Sequence, residues 1–140
     1  MATSVASFID RRIDPGALPL AVGDVVALSA ILTVGVVNHN GVDYLTAFPV
    51  AWLLTLVPFL IGWAVAGPLI GAYSAGAAES AKAAIPLAVR GWVLAAVIGL
   101  GLRWTPLFAG GVVLVFALVT LVTGAVALGV WRWVYFKIAG

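Results

Sequence analysis

The chain has 140 residues, of which 64% are hydrophobic and only 9% charged, and its mean hydropathy is +1.22. Soluble domains run at about 45–50% apolar and about 25% charged, so water is excluded as the main solvent of this chain. The formal charge of +2 is the balance of seven basic and five acidic residues, the basic ones scattered along the sequence, which argues against nucleic-acid binding, and the absence of cysteine rules out disulfides and thiolate or iron–sulfur centres.

Two further scarcities narrow the chemistry. The only histidine is His39 and the only methionine is Met1, so one copy cannot hold a haem through two histidines, and no lysine lies mid-span to carry retinal. No cofactor is expected. What remains is a single membrane domain, because a spanning helix needs about 20 mostly apolar residues and four such runs occur.

The fold class expected is all-α: an integral membrane bundle of four transmembrane helices, both termini in the cytoplasm, over residues 1–140. The first run follows Arg11 and Arg12. It is too long for the 7–15-residue core typical of a signal peptide and lacks a clear cleavage site, so it is read as a retained helix, about 18–37. Asn38-His39-Asn40-Gly41 reads as the turn that ends it. The second helix is expected over 44–66, stopped by Gly67-Pro68, with Pro49 harmless in its first turns and Pro58 kinking its interior.

Residues 67–82 are too weakly apolar to span and read as a loop or a short interfacial helix. The third helix is expected over 83–102, starting at Pro86 or about a turn earlier. The fourth is expected over 106–131, long enough to tilt. Arg11, Arg12, Lys82, Arg132 and Lys137 flank the spans at one end against Arg103 at the other, which places the richer end in the cytoplasm. Aromatic residues mark the boundaries, with Tyr44, Phe48 and Trp104 outside and Trp63, Trp131, Trp133 and Tyr135 inside.

Helices pack in lipid where small residues let backbones meet. Gly91, Ala95 and Gly99 supply such a stripe on the third helix, and Thr120 and Gly124 on the fourth. These stripes could join the two helices or bring two copies together as a homodimer.

Asp24 and Arg90 are the conspicuous charges inside the apolar runs. Both fall about 6–8 Å along helices that enter from the same side, so they share a depth and could pair. A charge at mid-membrane costs about 2.5–3.5 kcal/mol on the insertion scale, and pairing relieves it. The pair reads as a structural clamp between the first and third helices, as two independently snorkelled side chains, or as a substrate or proton site.

A second polar group, Asn38, His39, Asn40 and Asp43 with Arg103, gathers at the outer end. On a helical wheel Gly35 lies about 20° and Asn38 about 40° from Asp24, which is compatible with a polar pathway along one face and equally with an ordinary inward face. No metal ligation is expected, since a lone loop histidine lacks partners.

Asp24 early in the first helix, Asn38-His39 at its end, Pro58-Phe59-Leu60-Ile61-Gly62-Trp63, Gly99-Leu100-Gly101-Leu102-Arg103, Phe116 and Trp131-Arg132 occur in an order that resembles the DUF3054 family. These are small prokaryotic integral membrane proteins of unknown function. The resemblance implies four spans and marks Asp24, His39, Pro58, Gly62, Trp63, Arg103 and Arg132 as candidates, but it brings no activity. On the residues themselves, a transporter or channel for a small solute or ion is the leading reading, based on charged residues at both ends. The alternative is a non-catalytic accessory protein that binds a membrane complex through its small-residue faces. An enzyme is not expected, because no carboxylate pair, histidine cluster or phosphate-binding loop is present.

Overall fold

Proline and glycine set most helix boundaries in this chain. The computed structural model describes residues 13–105 and 114–139. A short 3-10 turn, Pro15–Ala17, is capped by the Asp14 carboxylate, which accepts from the Gly16 amide at 2.9 Å, and leads into α1, Leu18–Asn40. This helix runs through Asn38 and His39 rather than stopping at 37. Gly41, at φ +88°, ends it, its amide donating to the Val37 carbonyl, and the Asn40 side chain adds a bond to the Val36 carbonyl at 3.1 Å.

The second expected helix is divided. One helical turn, Tyr44–Ala47, is separated by Phe48 from α2, Pro49–Ile70. A residue before proline is pushed out of the helical region, and Phe48 sits at φ −133°, ψ 60°. Gly67-Pro68 does not end α2, contrary to expectation. Pro68 forfeits only one amide close to the terminus, and the helix stops at Gly71, whose φ of +94° suits a residue without a side chain. The Ala72 amide then donates to the Gly67 carbonyl at 2.9 Å, and the Gly71 amide to Pro68 at 3.1 Å, the Schellman pattern.

Helix α3, Ala81–Trp104, begins two residues before the expected start because Ser80 caps it, its hydroxyl accepting from the Ala83 amide. Helix α4 is described over Leu114–Ala139. Its expected start at 106 lies outside the described residues, as do Arg11 and Arg12. At its other end it passes the expected limit of 131 and carries Trp131 and Arg132 as helical residues.

All four helices are long and apolar enough to cross a membrane. Among the described residues no strand forms; one isolated parallel bridge joins Ile13 to Tyr73. Helices adjacent in the chain pack together, and α4 closes the ring against α1, leaving α1 and α3 on a diagonal. The α2–α3 seam is the most extensive. A side chain at Gly62 would strike the Ala95 carbonyl oxygen, while one at Gly91 would crowd Trp63 and one at Gly99 would crowd Phe59. The Gly91, Ala95 and Gly99 stripe therefore faces α2, and does not seat α3 on α4.

The α3–α4 seam uses an indole instead. Trp92 lies against Gly124, where any Cβ would overlap its ring, and its Nε1 donates to the Leu121 carbonyl at 2.9 Å. Thr120 and Gly124 are both buried, and Gly124 belongs to this contact. Trp131 repeats the arrangement across the α4–α1 seam, lying on Gly23 and donating to the Leu20 carbonyl at 3.2 Å. Indoles carry large contact area and one donor, so a glycine opposite each lets the helices close around it.

Candidate functional site

On α1 the buried residues are Leu20, Asp24, Leu28, Leu32 and Val36, and on α4 they are Thr120, Gly124, Leu128 and Arg132. Each set repeats every fourth residue, so Asp24 and Arg132 lie in the two stripes that face the interior. The seam brings Gly23-Asp24 opposite Trp131-Arg132. Both charged side chains are completely buried, at 0% exposure.

Their contact is two-pronged. Arg132 Nη2 donates to Asp24 Oδ2 at 2.6 Å and Arg132 Nε to Oδ1 at 3.2 Å. Planar guanidinium and carboxylate groups match in this way, which strengthens the bonds and fixes their geometry. Arg132 Nη1 donates to the carbonyls of Ala72, at 3.1 Å, and Ala84, at 3.0 Å. The cation thus ties α4 to α1, to the 71–80 segment and to the first turn of α3.

Tyr73 completes the centre. Its hydroxyl donates to Asp24 Oδ2 at 2.8 Å and accepts from Trp63 Nε1 of α2, while its ring lies under the Arg132 guanidinium, 5.6 Å from the centroid. Burial, and then the adjacent Asp24 carboxylate, push the Tyr73 hydroxyl above the ordinary phenol range, so it remains a proton donor. Gly71 turns the chain back toward the bundle, and the Tyr73 carbonyl accepts from the Asp14 amide at 2.7 Å, holding the segment in place. Ala72, Tyr73 and Ala77 are buried. Residues 71–80 form a loop of turns, the looser of the two forms expected, with Ala72, Tyr73 and Ala77 entering the bundle end and Ala75, Gly76, Glu79 and Ser80 exposed.

A family model described as "Protein of unknown function (DUF3054)" matches residues 21–135, a span that includes Asp24, Trp63, Tyr73 and Arg132. The chain belongs to the DUF3054 family. No curated protein and no solved structure matches it.

In this DUF3054 protein the expected partner of Asp24 is replaced. Arg132, not Arg90, neutralises it; Arg90 is exposed on α3, and α3 lies diagonally across from α1. Equal depth along two helices does not establish that their side chains share a face. The supposed polar face of α1 also divides: Gly35 and Asn38 are exposed, and the buried stripe beyond Asp24 is Leu28, Leu32 and Val36.

At the opposite end Asn38, His39 and Asp43 are exposed. Arg103 is half-buried, with its guanidinium 4.5 Å from the Phe116 ring centroid. No group of three or more His, Cys, Asp or Glu able to hold a metal occurs among the described residues. One part of the charged centre escaped sequence reasoning, and another was marked only by the family resemblance. Tyr73 stood in a segment read as peripheral, and no local pattern distinguishes it. Arg132 is a candidate through the family resemblance and otherwise a flanking charge beyond an expected helix end at 131; the run Thr120, Gly124, Leu128, Arg132 becomes one buried stripe because the helix continues past it.

Proposed function

We propose that this DUF3054 protein is a non-catalytic, multi-pass accessory protein of the membrane, a rigid bundle whose outward faces hold another membrane protein. The observation that carries the reading is the closed state of the Asp24–Arg132 centre. The carboxylate has a bidentate arginine and a tyrosine donor, and the arginine's remaining hydrogen bonds go to backbone carbonyls. Charges engaged in this way hold helices together, and an ionised pair is a poor carrier for a proton.

Lys82 and Lys137 at one end, with Arg11 and Arg12 shortly before α1 in the sequence, favour that end as cytoplasmic. Four spans return the chain to its starting side, which gives cytoplasmic termini. A transport role would draw on Arg103 and the exposed polar residues at the other end, together with a pathway completed by a second copy.

The deciding experiment has two parts. Purified protein in liposomes is assayed for proton, sodium, potassium and chloride leak, and photo-crosslinkers are placed in cells at lipid-facing positions such as Val97, Val126 and Val130. The proposal expects leak equal to that of empty liposomes and one discrete adduct confined to one face. A leak altered by Asp24→Asn, or the absence of a face-specific adduct, overturns it.

A further inference from the structure

Arg90 is the charge that the buried centre leaves unused. Helix α3 buries Ala84, Ala88, Gly91, Trp92, Ala95, Ala96 and Gly99. Its opposite side exposes Lys82, Pro86 and Arg90 at four-residue steps, followed by Val93 and Val97. The two cations thus share an outward face, separated by the short ring of Pro86. Arg90 lies about 14 Å along α3 from Ala81, well inside a hydrocarbon layer about 30 Å thick.

A cation facing acyl chains at that depth is relieved by reaching the polar layer. The direction is set by helix geometry, since every Cα–Cβ bond tilts toward the helix N-terminus. For Arg90 that is the Ser80 end, where Lys82 occupies the first turn. Among the described residues neither Arg90 nor Lys82 forms an ion pair, and the charged partner of Asp24 is Arg132. Glu79, the nearest acid in sequence, is exposed and precedes the cap.

We propose that Lys82 and Arg90 form a binding site for the phosphate of an anionic glycerophospholipid in the leaflet at the Ser80 end of the bundle. The planar guanidinium takes two phosphate oxygens, and the lysine adds a point charge from the headgroup layer. The lipid's chains lie along Val93 and Val97. This site depends only on α3 crossing the bilayer, so it stands or falls separately from the accessory role.

Native mass spectrometry of the full-length protein in detergent, titrated with phosphatidylglycerol or phosphatidylcholine, tests it. Arg90→Gln is expected to weaken phosphatidylglycerol binding about five-fold, the effect of one basic residue at an anionic membrane surface. Lys82→Gln gives a smaller loss, Arg90→Lys retains most of the affinity, and phosphatidylcholine binding is unchanged throughout. Thermal unfolding of lipid-free Arg90→Gln is expected to match wild type, since the side chain is exposed. Unchanged phosphatidylglycerol affinity in Arg90→Gln overturns the proposal. So does an equal loss for both lipids, a lipid-independent fall in melting temperature, or competition by inorganic phosphate at lipid-like concentrations.

Discussion

Removing one partner of the Asp24–Arg132 pair leaves the other charged and enclosed. Asp24→Asn keeps the shape but weakens three charge-assisted bonds, two from Arg132 and one from Tyr73, each worth about 1.5–3 kcal/mol. The expected cost is about 3–5 kcal/mol, the usual penalty for breaking a buried pair, and no solvent-screening discount applies because both side chains are 0% exposed. Arg132→Gln is expected to cost more, because it also leaves the Ala72 carbonyl without its donor and removes a second bond to the Ala84 carbonyl. Against a total stability of about 5–15 kcal/mol, either change is large. Asp24→Leu with Arg132→Met removes both charges and is expected to recover much of the loss, as buried ion pairs replaced by apolar groups often do. Reversible unfolding in mild detergent, run as a double-mutant cycle, measures the coupling. A value of about 2 kcal/mol or more is expected for Asp24 with Arg132, and additivity within about 0.5 kcal/mol for Asp24 with Arg90. Additivity in the first cycle, or coupling in the second, would refute the assignment of the pair.

Tyr73 gives the bundle an alkaline limit. Its folded-state pKa is raised above the unfolded value of about 10, so stability is intact below that pH and declines as pH rises past it, by about 1.4 kcal/mol per unit. Denaturant titrations between pH 8 and 11 (a range set by the value of about 10) are expected to show this decline in wild type and to lack Tyr73's share of it in Tyr73→Phe; equal slopes would count against it. Among glycines, Gly62→Ala meets backbone across the α2–α3 seam and is expected to cost about 1–3 kcal/mol. Gly35→Ala meets nothing and is expected to be neutral or to gain up to about 1 kcal/mol; thermal melts that reverse this order contradict the packing. Because the chain has no cysteine, a single cysteine reports topology directly. His39→Cys is expected to react with a membrane-impermeant maleimide on intact cells, and Lys137→Cys only after permeabilisation; the opposite pattern inverts the topology.

Composition and run length alone determined that this chain forms four apolar helices, because the cost of burying an unpaired backbone in lipid permits little else. The buried positions of Gly91, Ala95, Gly99, Thr120 and Gly124 were also legible, since small residues at four-residue spacing mark close approach. Which helix each stripe meets was not legible. That depends on the ring order of the bundle, and the order places α2 against the α3 glycines and Trp92 against Gly124.

The charged centre divides in the same way. An aspartate buried in an apolar helix announces a need for a partner, and the sequence offered several cations for it. Depth along a helix follows from counting residues, whereas the direction a side chain faces depends on how all four helices are rotated and on where the 71–80 segment folds. Only the tertiary structure turned Arg132 inward and Arg90 outward, and only there do the Ala72 and Ala84 carbonyls and the Tyr73 hydroxyl converge on the pair. Contacts between residues 49 and 108 positions apart leave no local signature, because they are set by the sum of packing along every seam.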